Sequence, residues 1–567
     1  MKKDAINTNF PEKKWLPLDW LYLAGIIFAS ALLTMSGLSV RSLWGSEGRW
    51  AEIAREMLFS GNYFLPTING YLYFDKPLLS YWAIIPFSIN GTVTEISARM
   101  PGAMAGIGAI VITFIIGRRL FESRTGIISS ALLLTSAMFV FWSRTASAET
   151  INVFAIWLSF LFFICGANSG STLYVVLLFS VSAVSSFCKG PVAPAVVFFS
   201  ITFYSIFETI LELRQNKLTL SELKKVFFSK FRWILSLQGL AGVLTGIVIF
   251  ITLLLLPVIT TGSWSSAELM WKENVQRFFQ PFDHIEPFYI YFKYVPVFFA
   301  PWTLFLIVSL FCLSGSSRKP AERFVLFITL GIFVFFTISG SRRSYYILPI
   351  LPGLALLTGK TISDWIGHFE QYGERALKWS MTLVCSIFIL GGICLIYAFF
   401  DTRIPSHPSQ LAIGVLVIIS CIYTMVLFKR KMGAKGILFL ISIVFIIELW
   451  IFNVGMAVAE QKRTLRPFAT KTAEYLKDVS DERISIYQGY DSIFIFYLNR
   501  KPLKMLSSVE DIRSFQKMHK NGFLIGNLTL INKFMESGEV KGISLIYAEK
   551  GVINKHGDNL ALFSLNK

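Results

Sequence analysis

Residues 21–38 read LYLAGIIFASALLTMSGL, a stretch without a single charge. Wound as a helix, such a run is long enough to cross a hydrocarbon core of about 30 Å while pairing every backbone amide within itself. Residues 126–142 and 240–259 are runs of the same kind. The whole chain agrees with them. Of its 567 residues 54% are hydrophobic and only 16% charged, and its mean hydropathy is +0.59, far more apolar than a soluble domain. A cleaved signal segment cannot explain so many runs. The chain therefore reads as a polytopic α-helical membrane protein.

A formal charge of +18 could point to nucleic acid, but the basic residues fall between apolar runs, which excludes that class. Lys2, Lys3, Lys13 and Lys14 precede the first run, and the excess of positive charge places the N-terminus in the cytoplasm. Thirteen spans are expected, starting near residues 17, 99, 124, 150, 171, 191, 234, 288, 323, 347, 379, 410 and 436. On that count the basic connections at Arg118-Arg119 with Arg124, at residues 214–232, at 318–323 and at Lys429-Arg430-Lys431 all lie inside. Ser341-Arg342-Arg343 is the exception, a basic pair on the outer side.

Apolar runs stop near Val458, so residues 1–458 form the membrane domain and residues 459–567 a small soluble α/β domain outside the cytoplasm. Its helix-like stretches are 469–476 and 509–518, its strand-like ones 483–487, 523–525, 543–548 and 561–563, with an apolar run at 493–498. The six cysteines lie in or beside apolar runs, which predicts neither a structural disulfide nor a zinc cluster.

The first outer loop, residues 39–99, is long and mixes aromatic, glycine and charged residues. Trp50, Ile53, Ala54, Met57 and Leu58 share one helical face, while Glu52, Arg55 and Glu56 take the other. This predicts an amphipathic helix lying at the membrane interface. Residues 77–89 are apolar but too few for a span and begin with proline, so they read as a re-entrant or surface helix.

Ionisable groups beside span ends persist only with a partner, with water or for a function. On the expected outer side they cluster at Ser46-Glu47-Gly48-Arg49, at Phe74-Asp75-Lys76-Pro77 and from Arg144 to Glu149. Further groups are Lys272-Glu273 with Arg277 and His284, Lys189-Gly190-Pro191, and Arg342-Arg343-Ser344-Tyr345-Tyr346. Singly, each reads most simply as a solvated or paired loop, His284 as an ordinary loop histidine and the loop aromatics as an interfacial belt. Together they put carboxylates and cations on one face. That suits transfer from a phosphate-activated donor, where a base takes a proton from an acceptor hydroxyl and cations hold the leaving phosphate. No P-loop or glycine-rich strand-to-helix turn supports a nucleotide donor on the other face. A lipid-borne donor fits a site at the membrane edge.

The stretch from Glu47 to Met57, then Ser60-Gly61-Asn62-Tyr63 and Asn69-Gly70-Tyr71-Leu72-Tyr73-Phe74-Asp75-Lys76-Pro77-Leu78, resembles the bacterial GT-C lipid-linked glycosyltransferases that include aminoarabinose transferases and protein O-mannosyltransferases. Gly117-Arg118-Arg119-Leu120-Phe121, Lys189-Gly190-Pro191, Glu273-Asn274 with Arg277-Phe278, and Tyr346-Ile347-Leu348-Pro349 continue the likeness over most of the membrane region. The resemblance implies a sugar taken from a polyprenyl-phosphate donor and passed to lipid A, another glycolipid or a protein on the outer face of the cytoplasmic membrane. It implies catalytic carboxylates at Glu47, Asp75 and Glu149. Lys76, Lys189, Arg277, Arg342, Arg343, Tyr345 and Tyr346 are the implied donor-phosphate contacts, and Arg49, Arg144, Glu273 and His284 the implied acceptor or loop contacts. Ser46 stands where the family carries its aspartate base, and a serine hydroxyl does not accept a proton at neutral pH as a carboxylate does. Either Glu47 serves as the base, ranked first because it keeps a carboxylate in the same loop, or Glu149 or Asp75 takes over, or activity is altered or lost.

Two other classes compete. A transporter or flippase predicts charges near the middle of the spans and repeated halves, whereas these spans are nearly charge-free and show no repeat. A non-catalytic family member that binds lipid-linked sugar is the other, motivated by Ser46. Outer carboxylates can hold a divalent cation through oxygen ligands, but no ligand spacing specifies one.

Overall fold

A computed structural model describes residues 10, 14–74, 76–216, 220–276, 280, 285–312, 319–367, 374–463, 465–489, 491–553 and 559–566. The chain divides into two compact units, one of residues 1–36, 75–80 and 99–454 and one of residues 37–74, 81–98 and 455–567.

The first unit is helical. Among the described residues eleven helices are long and apolar enough to cross a membrane, and two bent pairs raise the total to thirteen if each pair is one span. Their order follows the thirteen expected runs. The bent pairs are Ser123–Leu134 with Ala137–Ser143, turned by 70°, and Ile290–Phe298 with Thr303–Cys312, turned by 111°. Pro301, in the second break, has no N–H to continue a helical ladder. At the first break Thr135 and Ser136 donate their hydroxyls to the carbonyls of Ala131 (2.6 Å) and Leu132 (2.8 Å), side-chain bonding of a kind that bends helices.

Close helix contacts use small residues, as apolar surroundings demand when helices gain nothing from excluding water. A methyl on Gly359 would lie 2.9 Å from the backbone nitrogen of Ser129. Charges at span ends are paired. Arg118 meets Asp19 at 2.8 Å, and Arg323 grips both oxygens of Glu208 at 2.6 and 3.1 Å. Glu448 differs. It sits within the Gly433–Trp450 helix, buried, with neither carboxyl oxygen partnered among the described residues, a charge-bearing group that the reading of nearly charge-free spans passed over.

The second unit is built on a five-stranded sheet in the order β4-β3-β5-β7-β6, made of Ile484–Tyr487 (β3), Lys504–Leu506 (β4), Gly522–Asn527 (β5), Ile543–Ile553 (β6) and Asn559–Leu565 (β7), while β1 and β2 are the two-residue strands Thr67–Ile68 and Tyr71–Leu72 of the loop. β3 is parallel to β4 and β5, and β7 is antiparallel to β5 and β6. Alternation divides the side chains between two faces. Ile484, Ile486, Ile525 and Leu562 join one core with Phe468 and Phe494, while Tyr487, Leu524, Ala561 and Phe563 join the other with Ile512 and Phe515. The apolar run at 493–498 is a helix, Ser492–Leu498, started by the Asp491 carboxylate accepting from Ile493 N at 2.8 Å. Residues 504–506 were not expected as a strand, because three residues are too few to show alternation. The segment 77–89 contains only short helical turns, Leu79–Trp82 and Ile85–Phe87.

The loop helix, Glu47–Ser60, forms as expected and ends at Gly61, whose φ of 70° suits glycine. Its apolar residues Trp50, Ile53, Ala54 and Met57 are buried. Its polar face is not solvated, however, since Glu52 and Glu56 are buried as well. The reason is that each carboxylate finds partners within the unit. Glu56 accepts from Asn69 N and Thr67 Oγ1, each at 2.5 Å, and from Gly70 N at 3.2 Å. Glu52 holds Arg55 through two bonds of 2.8 and 2.7 Å, and Arg55 also donates to Arg500 O at 2.9 Å. Gly48 lets the helix approach the Ser492–Leu498 helix, for a methyl there would lie 2.4 Å from Ile493 Cγ1. Asn69 binds Leu503 reciprocally, giving to its carbonyl at 2.9 Å and accepting from its amide at 2.7 Å.

Two outcomes follow from these contacts. Asn69→Ala removes both bonds at a buried site and forces alanine to a φ of 52°, so the loop should lose about 2–3 kcal/mol of local stability; hydrogen exchange at the Leu503 amide reads it, and unchanged protection would refute the clamp. Burial pushes the Glu52 carboxyl up to about 7, against the pull of Arg55 and with added repulsion from Glu56. The folded state then holds a proton that the unfolded chain has released above about 4.5. Stability should fall as pH rises from there through 7, by up to about 1.4 kcal/mol per pH unit, and Glu52→Gln should flatten that slope in thermal unfolding at pH 5 to 8.

Candidate active site

Three elements of the helical unit meet at one cluster. Glu149 opens the helix Glu149–Ser169, where the positive end of the helix dipole favours a carboxylate. Lys189 closes the helix Thr172–Lys189, where the negative end favours a cation. Gly190, at a φ of 75°, and then Pro191 stop that helix at the lysine. The two side chains form a close, nearly buried ion pair between Lys189 Nζ and Glu149 Oε2.

The third element is the 3-10 turn Ser344–Ile350. Pro349 withholds an amide from the ladder, and its carbonyl accepts from Trp157 Nε1 at 2.8 Å. Trp157 lies on the helix that Glu149 opens, so this buried bond holds the turn beside the carboxylate. The Tyr346 ring consequently lies 4.6 Å from Lys189 Nζ, a cation-π contact. Tyr345 packs at 5.3 Å on Tyr346 and 4.4 Å on Trp142, and its hydroxyl accepts a short hydrogen bond from Arg343 Nη1. Arg342 donates to Thr337 O at 3.1 Å and Glu286 O at 2.8 Å.

Ser80 Oγ donates to Cys188 O at 2.5 Å, which anchors the segment carrying Lys76 to the end of the lysine helix. Lys76 and Arg343 both act electrostatically on Lys189. Among the described residues one carboxylate thus stands with three cations and two tyrosines, a surplus of positive charge that suits a phosphate.

One expected site residue of this unit has other work. Arg144 donates to Leu33 O at 2.6 Å and stacks 4.8 Å from the Phe452 ring, tying helix ends together. The turn Trp271–Gln276 carries Glu273. Asp75, Arg277 and His284 lie outside the described residues, as does the side chain of Glu273.

The remaining two belong to the second unit. Glu47 is fully buried, and its Oε2 accepts from Arg41 Nη2 at 3.1 Å and Trp44 N at 3.0 Å. Arg49 donates to the Tyr73 hydroxyl at 2.5 Å. Ser46 precedes the helix without a side-chain capping bond.

Sequence reasoning missed Tyr291, which is buried and shares its electrostatic surroundings with Tyr346, Arg342 and Glu149. In the sequence it is one more aromatic in an apolar run. It also missed Arg41, whose spacing of six residues from Glu47 matches no local pairing rule. Trp142 and Ser80 carried no signal at all.

Removing one member of a nearly buried ion pair strands the other. Lys189→Met should therefore destabilise the protein by about 3–5 kcal/mol, and the double change Lys189→Met with Glu149→Leu should cost less. Thermal unfolding in detergent decides it; a loss in the double variant equal to the sum of the two single losses would show that the two groups do not depend on each other.

Residues 75–229 match a family model described as dolichyl-phosphate-mannose-protein mannosyltransferase. An undecaprenyl phosphate-alpha-4-amino-4-deoxy-L-arabinose arabinosyl transferase of Shewanella sediminis is 24% identical over 492 residues, 85% of each chain. A transferase of the same description from Pseudomonas fluorescens is 25% identical over 402 residues, covering 68% of this chain and 66% of the other. Among solved structures, ArnT from Cupriavidus metallidurans bound to undecaprenyl phosphate has the same fold, with a TM-score of 0.70 at 18% identity over 97% of this chain and 98% of that one. The chain is thus a multi-pass membrane protein with the fold of ArnT, similar along most of its length to an aminoarabinose transferase and over residues 75–229 to the protein mannosyltransferases.

Proposed function

We propose that the protein takes a sugar from a polyprenyl-phosphate donor and passes it to an envelope acceptor, lipid A, another glycolipid or a protein, at the outer face of the cytoplasmic membrane. In this reading the N-terminus lies in the cytoplasm and residues 459–567 lie outside. The observation that carries it is the ion pair of Glu149 and Lys189 set among Lys76, Arg343, Tyr345 and Tyr346. The relatives point the same way, since the Shewanella protein is described as acting with undecaprenyl phosphate and the Cupriavidus structure holds that lipid.

The chemistry assigned to the cluster follows from its charges. The bond between the sugar C1 and the phosphate oxygen breaks, and the electron pair leaves with the phosphate. Lys189, Lys76 and Arg343 counter the negative charge that gathers there, and Tyr346 adds a hydroxyl donor. The acceptor hydroxyl attacks C1 and gives its proton to a carboxylate.

We assign that proton to Glu149 in place of Glu47. Glu149 shares its surroundings with the phosphate-binding cations, and departure of the phosphate leaves its lysine partner engaged and the carboxylate released to accept. Glu47 is wholly buried beneath Arg41 and the Trp44 amide, a setting suited to holding the turn before its helix. Purified protein should release polyprenyl phosphate from a polyprenyl-phosphate sugar. Glu149→Gln should lower that turnover by about a hundredfold or more, while Glu47→Gln keeps a larger share of it. The opposite ranking would return the base to Glu47, and no release from a panel of donor sugars would end the donor assignment.

A further inference from the structure

The second unit contains a pocket of about 400 Å³ whose walls come from three places in the chain. The Glu47–Ser60 helix supplies Arg55 and Phe59, residues 92–94 supply Thr92 and Thr94, the start of the helix Glu95–Leu120 supplies Glu95, and the C-terminal part supplies Arg466, Thr470, Phe496 and Tyr497. None of these residues belongs to the ion-pair cluster.

Its polar groups are held in place and only partly used. The Arg55 side chain is 12% exposed. Its Nε and Nη2 are committed to Glu52 and to Arg500 O, which leaves Nη1 without a hydrogen-bond partner among the described residues. Glu95, equally buried, accepts a hydrogen bond on Oε1 from the Tyr497 hydroxyl at 3.0 Å, and the same oxygen forms an ion pair with Arg466 Nη1 at 3.4 Å. Its Oε2 has no protein partner among the described residues. Tyr497 is itself fixed, since its oxygen accepts from Leu43 N at 2.8 Å. A rigid donor edge and a rigid acceptor oxygen therefore line one pocket, together with the Phe59 ring, which is 55% exposed, and the Phe496 ring.

We propose that this pocket binds a saccharide unit that carries adjacent hydroxyl groups and no negative charge. Hydroxyls both donate and accept, so a pair of them satisfies Arg55 Nη1 and Glu95 Oε2 together, while the C–H face of the sugar ring covers the aromatic ring. A phosphate or carboxylate satisfies the arginine but meets repulsion from Glu95. An apolar chain leaves both groups unpaired, which costs more than its burial returns. The site goes beyond the donor chemistry proposed above and rests on the geometry of the second unit alone.

The test is binding of N,N′-diacetylchitobiose to the purified full-length protein in detergent, read by saturation-transfer NMR without any donor. Inorganic phosphate is the competitor. Thr470→Trp fills the pocket from an exposed position, and Phe59→Ala removes the ring; each should weaken binding about tenfold or more while the thermal midpoint stays put. Absence of saccharide binding overturns the proposal. So does binding that both variants leave unchanged, and displacement of the saccharide by phosphate would reject the uncharged class. Because no donor is present, a failure of sugar transfer bears only on the catalytic reading.

Discussion

A lysine can end an apolar helix at the membrane edge only if something neutralises it, and the partner of Lys189 is Glu149. Neither residue is stable there alone, because an ion removed from water costs several kcal/mol that only a close opposite charge offsets. The helix ends lend themselves to this arrangement, with the carboxylate at a positive terminus and the cation at a negative one. Gly190 and Pro191 then fix where the lysine helix stops. The ion pair in turn gives Tyr346 a cation to face, and the Trp157 bond to the Pro349 carbonyl holds the tyrosine turn against it.

The same rule organises the rest of the helical unit. Asp19 with Arg118 and Glu208 with Arg323 show charge admitted near the membrane only in pairs. Glu448 breaks the rule, buried and without a partner among the described residues. Among the described residues the surplus of cations around Glu149 is also an exception, an excess of positive charge that suits a phosphate.

In the second unit two buried carboxylates play the organising part. Glu56 gathers the amides of the small β1–β2 turn, and Glu52 holds Arg55 for the Arg500 carbonyl. The first loop and the C-terminal sheet, separated by more than 350 residues in the chain, are thereby parts of one compact body. Glu52 and Glu56 of the loop helix thus serve to hold this body together.

The spans were legible from residue order alone, because a helix in lipid must carry about 20 apolar residues in one piece, and that constraint is local. The motif stretches were legible too: Glu149, Lys189, Arg343, Tyr345 and Tyr346 could be named as candidates from their place at span ends. What residue order could not say is which candidates meet. Arg144 and Arg49 looked as suitable as Lys189, yet a helix end and a tyrosine take them. The loop helix was correctly placed but its polar face is buried, which residue order could not show, since the pattern of charged and apolar faces is the same whether the charges meet water or buried partners. The partners of Glu52 and Glu56, the neighbours of Tyr291 and the free edges of Arg55 and Glu95 are set by groups far away in the chain. Hydrophobic length is a property of consecutive residues and so determined the membrane architecture; pairing of charges is a property of neighbours in space, and only the tertiary structure decided it.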